Sequence, residues 1–178
     1  MDQGLSALAL LIIIVVLAAR SAPAEPDPVS TQRLNDLGNL LLAFVMLHAY
    51  IAFSQWLIIW NGNLPHEILW YEHRIHGGWG AAIVIIFLLQ FALPFGALVF
   101  QRVKRSGRRL LAVAALVFAA SILHAFWLVL PAFPAAGARP VVIAACAIAG
   151  IGGLWLAVFF RQWRRLGEPL FISPRELD

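Results

Sequence analysis

The sequence predicts an all-α integral membrane protein with about five transmembrane helices. Three observations predict it. The chain is 62% hydrophobic and only 12% charged, where a soluble domain averages about 45–50% and about 25%. Its mean hydropathy is +0.84. Five apolar runs, near 4–22, 37–60, 78–100, 110–131 and 140–160, each approach the roughly 20 residues that cross about 30 Å of hydrocarbon. A backbone in lipid must satisfy its own hydrogen bonds, so these runs read as helices.

The first run opens almost at residue 1, without flanking anchors, and reads as a helix cut into near its start. A cleavable leader ending at Ala22-Pro23-Ala24 is the rival. Its n-region would carry Asp2 and no Lys or Arg, against the pattern such leaders need. Residues 21–36 (SAPAEPDPVSTQRLND) are a proline-rich linker. Pro94 and Gly96 should interrupt the third span. Ala145, Ala149 and Gly153 give the fifth a small-residue face suited to close helix contact. The organisation expected is therefore a first helix plus linker over 1–36, a helical bundle over 37–166 with an outer loop at 61–77, and a polar tail at 167–178.

Charge sets the topology. Arg20, Arg33, Arg102, Lys104, Arg105, Arg108, Arg109, Arg161, Arg164, Arg165 and Arg175 fall on one side of five spans, and Arg74 and Arg139 on the other. Eleven against two places the first group in the cytoplasm, the N-terminus outside and the C-terminus inside. The net charge of +4 is thus read as a membrane signal and not as a nucleic-acid footprint. A single cysteine, Cys146, makes no internal disulfide and holds no iron–sulfur cluster. No P-loop, dinucleotide fingerprint, nucleophile elbow or H-E-x-x-H occurs, which argues against a self-contained kinase, dehydrogenase or hydrolase.

The polar residues concentrate between 37 and 79, where four of the five histidines lie. His48 falls halfway along the second span. An ionisable group at that depth usually faces a bundle interior, a cavity or a proton path; the plain alternative is structural hydrogen bonding. Gln55 follows at i+7 on the same face, and Tyr50 and Ser54 line the other side. Two polar edges suggest a helix central in the bundle. His124 on the fourth span is the expected counterpart: about 11 and about 14 residues from the cytoplasmic ends put the two near 16 and 21 Å deep. Facing histidines at similar depth also fit haem b ligands. In the loop, Trp60, Trp70, Tyr71 and Trp79 fit an interfacial aromatic belt. His66, Glu67, Glu72, His73, Arg74 and His76 are not explained that way. They suggest a protonatable rim or a wet surface docking a partner. No complete metal-ligand set is evident there, so no metal is assigned.

Phe53-Ser54-Gln55-Trp56-Leu57-Ile58-Ile59-Trp60-Asn61-Gly62-Asn63-Leu64-Pro65, then Glu67-Ile68, Trp70-Tyr71 and Gly77-Gly78-Trp79, resembles the ActF subunit of alternative complex III. That subunit is an NrfD-like (polysulfide reductase-type) membrane protein of a bacterial quinol:cytochrome c, or other acceptor, oxidoreductase. Asn61, His66 and Leu69 stand where the family has Ser, Glu and Pro. The resemblance covers the C-terminal half of a ten-span subunit, which implies a fragment or one half of a split subunit, with four spans in an NrfD-like bundle. It implies a multi-pass subunit of the bacterial inner membrane, a scaffold with a quinone-proximal or proton-conducting role. The partners would be membrane and periplasmic iron–sulfur and cytochrome subunits, quinol and the bilayer, with no nucleic acid. It implies no redox cofactor bound by this chain, quinone or quinol apart, and no catalytic residue. The candidates for the proton path or quinone contact are His48, Tyr50, Ser54, Gln55, Glu67, Tyr71, His73, Arg74 and His124. A self-standing haem b carrier and a purely structural membrane subunit are the alternatives.

Overall fold

The computed structural model describes residues 2–21, 30–62, 69, 72, 79–130 and 139–166. Among them every regular element is helical: α1 (Asp2–Ser21), α2 (Thr31–Gly62), α3 (Trp79–Phe87), a π-helical turn (Leu88–Ala92), α4 (Leu93–Val99), α5 (Gln101–Lys104), α6 (Gly107–Val129) and α7 (Arg139–Leu166). Five stretches are long and apolar enough to cross a membrane: Asp2–Arg20, Thr31–Gly62, Trp79–Val99, Gly107–Val129 and Ala145–Gln162. The protein is an all-α, multi-pass membrane protein, as the composition predicts.

The second helix starts earlier than its apolar run suggests. Ser30 caps it: its Oγ accepts the Arg33 N–H at 3.3 Å, and its carbonyl accepts the Leu34 N–H at 3.1 Å. A serine at that position satisfies donors a helix start otherwise leaves bare, so the polar turn Thr31–Asp36 joins the helix.

The third span is interrupted where Pro94 and Gly96 predict. Proline has no N–H to give the preceding turn. The ladder widens instead, and the Leu93 N–H bonds to Leu88 O, five residues back. Within this π-turn Gln90 is 3% exposed, in line with the buried Ile86, Pro94 and Leu98. Such turns recur at functional sites.

The chain forms two compact units, 1–132 and 133–178. The sequence partition set the first helix apart with its linker; in the structure α1 packs within the first unit, mainly against α6. The buried stripes explain why. On α1 they are Leu5, Ala9, Ile12 and Val16; on α2, Leu34, Gly38, Leu41 and Val45; on α6, Leu110, Val113, Ala114 and Val117. Steps of three and four residues keep one seam facing its neighbour. In lipid the gain comes from dispersion and close approach, which small residues on the seam permit. Gly4 approaches Phe44, and Gly107 approaches Leu34 and Val16. These contacts set α1 antiparallel to α2.

At the other end of the seam the connection 100–106 folds back on α2. Lys104, 7% exposed, lays its stem over Gly38 and donates from Nζ to Asn39 Oδ1 at 2.7 Å. Lys104, read from the sequence as a topology signal, is thus a packing element. In the second unit, α7 leaves Ala145, Ala149 and Gly153 exposed, and a Cβ at Gly153 would meet nothing within 4 Å.

Candidate functional site

The three seams run into polar residues at the same end. One step past Leu5 on α1 is Asp2. One step past Val45 on α2 is His48. On α6 the stripe continues through Ala120 and Ser121 to His124 and Trp127. His48 and His124 each stand seventeen residues from the first residue of their helices, about 25 Å along the axis. They are level, as the sequence depth argument requires, and His48 is near the middle of α2, fourteen residues from its end. His124 is only five residues from the end of α6, so the site lies about 8 Å below that end.

The two imidazoles meet edge to face, with ring centroids 6.0 Å apart and planes at 80°. Asp2 joins them: its Oδ2 lies 3.3 Å from His124 Nδ1. That distance is within ion-pair range, yet the nitrogen is not aligned for a hydrogen bond and has no hydrogen-bond partner. Gln90 holds the other carboxylate oxygen, donating from Nε2 to Asp2 Oδ1, and its Nε2 also lies 3.4 Å from Ser121 Oγ. The indole of Trp127 stacks on His124 at 6.1 Å and donates from Nε1 to Trp79 O at 3.2 Å. This fixes the start of α3 against the end of α6 and closes the layer above the histidine.

Satisfaction is incomplete. His48 Nδ1, His124 Nδ1 and Gln90 Oε1 are buried without a hydrogen-bond partner. Buried polar atoms are nearly always bonded, so three orphans in one layer call for a proton, a water or an ion. The ligating atoms of Asp2, His48 and His124 all lie within 4.8 Å of one another. A metal was not expected from the sequence, yet the folded chain gathers three groups able to hold one.

The other candidates separate. Tyr50 is 68% exposed, Gln55 is exposed and Ser54 is half-buried. The expectation that α2 is central, with Gln55 sharing the environment of His48, is not met. Gln55 stands two turns beyond His48 and is exposed, while the buried positions of α2 are Leu34, Gly38, Leu41, Val45 and Ile59. Glu67, Tyr71, His73 and Arg74 lie outside the described residues.

Sequence reasoning missed Asp2 and Gln90. Asp2 carried a signal: it continues the 5-9-12-16 stripe with the right step. Gln90 carried one too: it stands four residues after Ile86 and four and eight before Pro94 and Leu98, all buried, although the π-turn lies across it. No family model matches the chain, and no curated protein is significantly similar to it.

Proposed function

We propose that this chain is an integral membrane subunit of a bacterial respiratory quinol:cytochrome c (or other acceptor) oxidoreductase, of the ActF type, in the inner membrane. It acts as a scaffold whose Asp2–His48–His124 cluster passes protons through the bundle. One observation carries the reading: a carboxylate and two imidazoles share a layer within apolar spans, held by Gln90 and flanked by orphaned nitrogens. Intramembrane ionisable groups that are grouped and half-buried mark proton or ion pathways. Histidine changes charge near neutral pH, and a carboxylate beside it can take or give the proton.

The chemistry is a sequence of short transfers. His124 Nδ1 lies 3.3 Å from Asp2 Oδ2, so a small turn of the ring aligns the two for proton transfer. His48 packs on His124 and has a free ring nitrogen to continue the path. Side-chain exposures of 21% for His124 and 26% for Asp2 leave the cluster open on one side. With eleven of thirteen basic residues on one side, the 61–77 loop and this end of the bundle face the periplasm. Redox centres belong to partner iron–sulfur and cytochrome subunits. Quinol contact, where it involves this chain, falls to the exposed edge of Tyr50, Ser54 and Gln55.

The haem b reading draws on the same two histidines. It fits less well, because Asp2, Gln90 and Ser121 fill the layer a macrocycle would need. Pull-down of the tagged chain from solubilised membranes, with an absorption spectrum, is the test. Co-purification of multihaem cytochrome and iron–sulfur subunits supports the complex, as does loss of proton translocation by His48→Leu in an intact complex. A chain that elutes alone and colourless overturns it; alone with a Soret band, it is a cytochrome. Unchanged pumping in an assembled His48→Leu complex leaves a structural subunit.

A further inference from the structure

We propose that Asp2, His48 and His124 form a binding site for a divalent transition-metal ion of the zinc class. The inference needs only these three side chains and stands apart from the assignment to a quinol-oxidising complex.

The donor set is the first argument. Two imidazoles and one carboxylate, with a position left open, are a recurrent ligand set for zinc and for other first-row divalent ions. The donors come from three different helices, so the folded bundle and not a local sequence motif creates the site.

Geometry is the second. Ligand bonds of about 2.0–2.1 Å in a tetrahedron put neighbouring donor atoms about 3.3 Å apart. The Asp2 Oδ2–His124 Nδ1 distance is 3.3 Å. All three donors lie within 4.8 Å of one another, so the third ligand comes into place by a small turn of the His48 ring.

The orphans are the third argument and are independent of the distances. His124 Nδ1 sits beside a carboxylate without making a hydrogen bond to it, and His48 Nδ1 is buried with no partner. An ion between them would satisfy both nitrogens and the carboxylate together. Gln90 is 3% exposed, and its Oε1 is also without a partner. The fourth position is open to water.

The surroundings are those a metal site needs. Gln90 Nε2 donates to the carboxylate oxygen that faces away from His124, and so orients Asp2. Second-layer hydrogen bonds of this kind fix ligand geometry and tune affinity. The Gln90 amide cannot reverse without turning Oε1 toward the carboxylate. Trp127 stacked on His124 limits rotation of that ring. The partial exposure of Asp2 and His124 provides an access path. An ion bound here holds both imidazoles unprotonated, so, if the cluster relays protons, occupancy closes the relay.

The test uses the full chain in detergent, with any affinity tag removed. Co(II) is titrated as an optical probe and Zn(II) by competition, with bound metal counted by elemental analysis. The expected result is one metal per chain, tetrahedral d–d bands from Co(II), and their displacement by Zn(II). His124→Ala and His48→Ala should abolish the bands. Gln90→Leu, which keeps all three ligands, should weaken binding about tenfold. The triple variant His66→Ala/His73→Ala/His76→Ala separates this site from the loop histidines and should retain the bands. Helical content measured on each variant guards against misfolding, and Asp2→Asn supplies a third independent ligand change. No stoichiometric metal on the native chain overturns the proposal. So does binding that survives loss of His48 and His124, or binding that vanishes with the loop histidines.

Discussion

Gly38→Ala tests how the bundle is closed at the end away from the histidines. A Cβ at residue 38 would stand 2.7 Å from Lys104 Cγ, 3.0 Å from its Cβ and 3.1 Å from its Cδ. These atoms are the base of the lysine stem, not its mobile tip, so Lys104 or the 100–106 connection must move. Overpacking of this kind costs about 1–3 kcal/mol. Moving Lys104 also lengthens its 2.7 Å bond to Asn39, an interhelical bond worth about 0.6–2 kcal/mol in a membrane protein. Against both stands the better helix propensity of alanine, about 1 kcal/mol. The clash and the lost bond together exceed that gain, leaving a net loss of about 2 kcal/mol.

For a chain of this size such a loss lowers Tm by about 4–8 °C, readable by thermal unfolding in detergent. The double variant Gly38→Ala/Lys104→Ala sharpens the test, because removing the stem removes the obstacle. Coupling of more than about 0.5 kcal/mol between the two changes is expected. Gly153→Ala is the control: nothing lies within 4 Å of its Cβ, so it should gain the propensity term of about 0.5–1 kcal/mol. A neutral or stabilising Gly38→Ala, or strict additivity with Lys104→Ala, would refute the close-approach argument.

Other perturbations give contrasting outcomes. Leu41→Ala, at a fully buried position, should cost about 2–5 kcal/mol, while Ile58→Ala, at a residue 65% exposed, should leave detergent stability nearly unchanged. Trp127→Phe removes the bond to Trp79 O and should cost about 0.5–1.5 kcal/mol, with faster amide exchange at the start of α3. Pro94→Ala restores a backbone donor and lets the Leu88–Ala92 turn become α-helical. If the π-turn is what aims Gln90 at Asp2, this variant should weaken Co(II) binding as Gln90→Leu does, with stability retained; unchanged binding would sink that account.

Most of the fold is legible in the sequence because one physical constraint dominates it. A backbone in hydrocarbon has to be helical, so span number follows from hydropathy alone. Boundaries were less legible: Ser30 lengthens α2 through a cap that an apolar window does not register. Pairing was partly legible. The depths of His48 and His124 brought them together on paper, and they do meet. Gln55 misled because helical phase gives direction without saying whether a neighbouring helix packs at that level. The loop residues Glu67, Tyr71, His73 and Arg74 drew attention by composition and lie outside the described residues; among those described, the charged cluster is Asp2, His48 and His124.

The position of that cluster follows from the seams themselves. A stripe with a step of three and four selects the inward residue at every turn, whatever its chemistry. On α1, α2 and α6 those residues are apolar or glycine from the 100–106 end upward, Ser121 apart, until each stripe reaches Asp2, His48 or His124. The substitutions a packing argument would favour there are leucines, which fit such a seam without orphaned nitrogens. Three polar residues at one level therefore lower the stability of the bundle below what the same backbone allows. In a Gln90→Leu background, which leaves no buried amide without its acceptor, Asp2→Leu/His48→Leu/His124→Leu should leave Tm unchanged or raise it, since removing a whole polar set is commonly neutral or stabilising, whereas removing one member is not. Single His124→Leu should lower it, leaving the Asp2 carboxylate without the group 3.3 Å away. Thermal unfolding of the single and triple variants decides between a layer kept for its chemistry and one kept for packing. A triple variant less stable than each single one would mean the polar layer holds the bundle together.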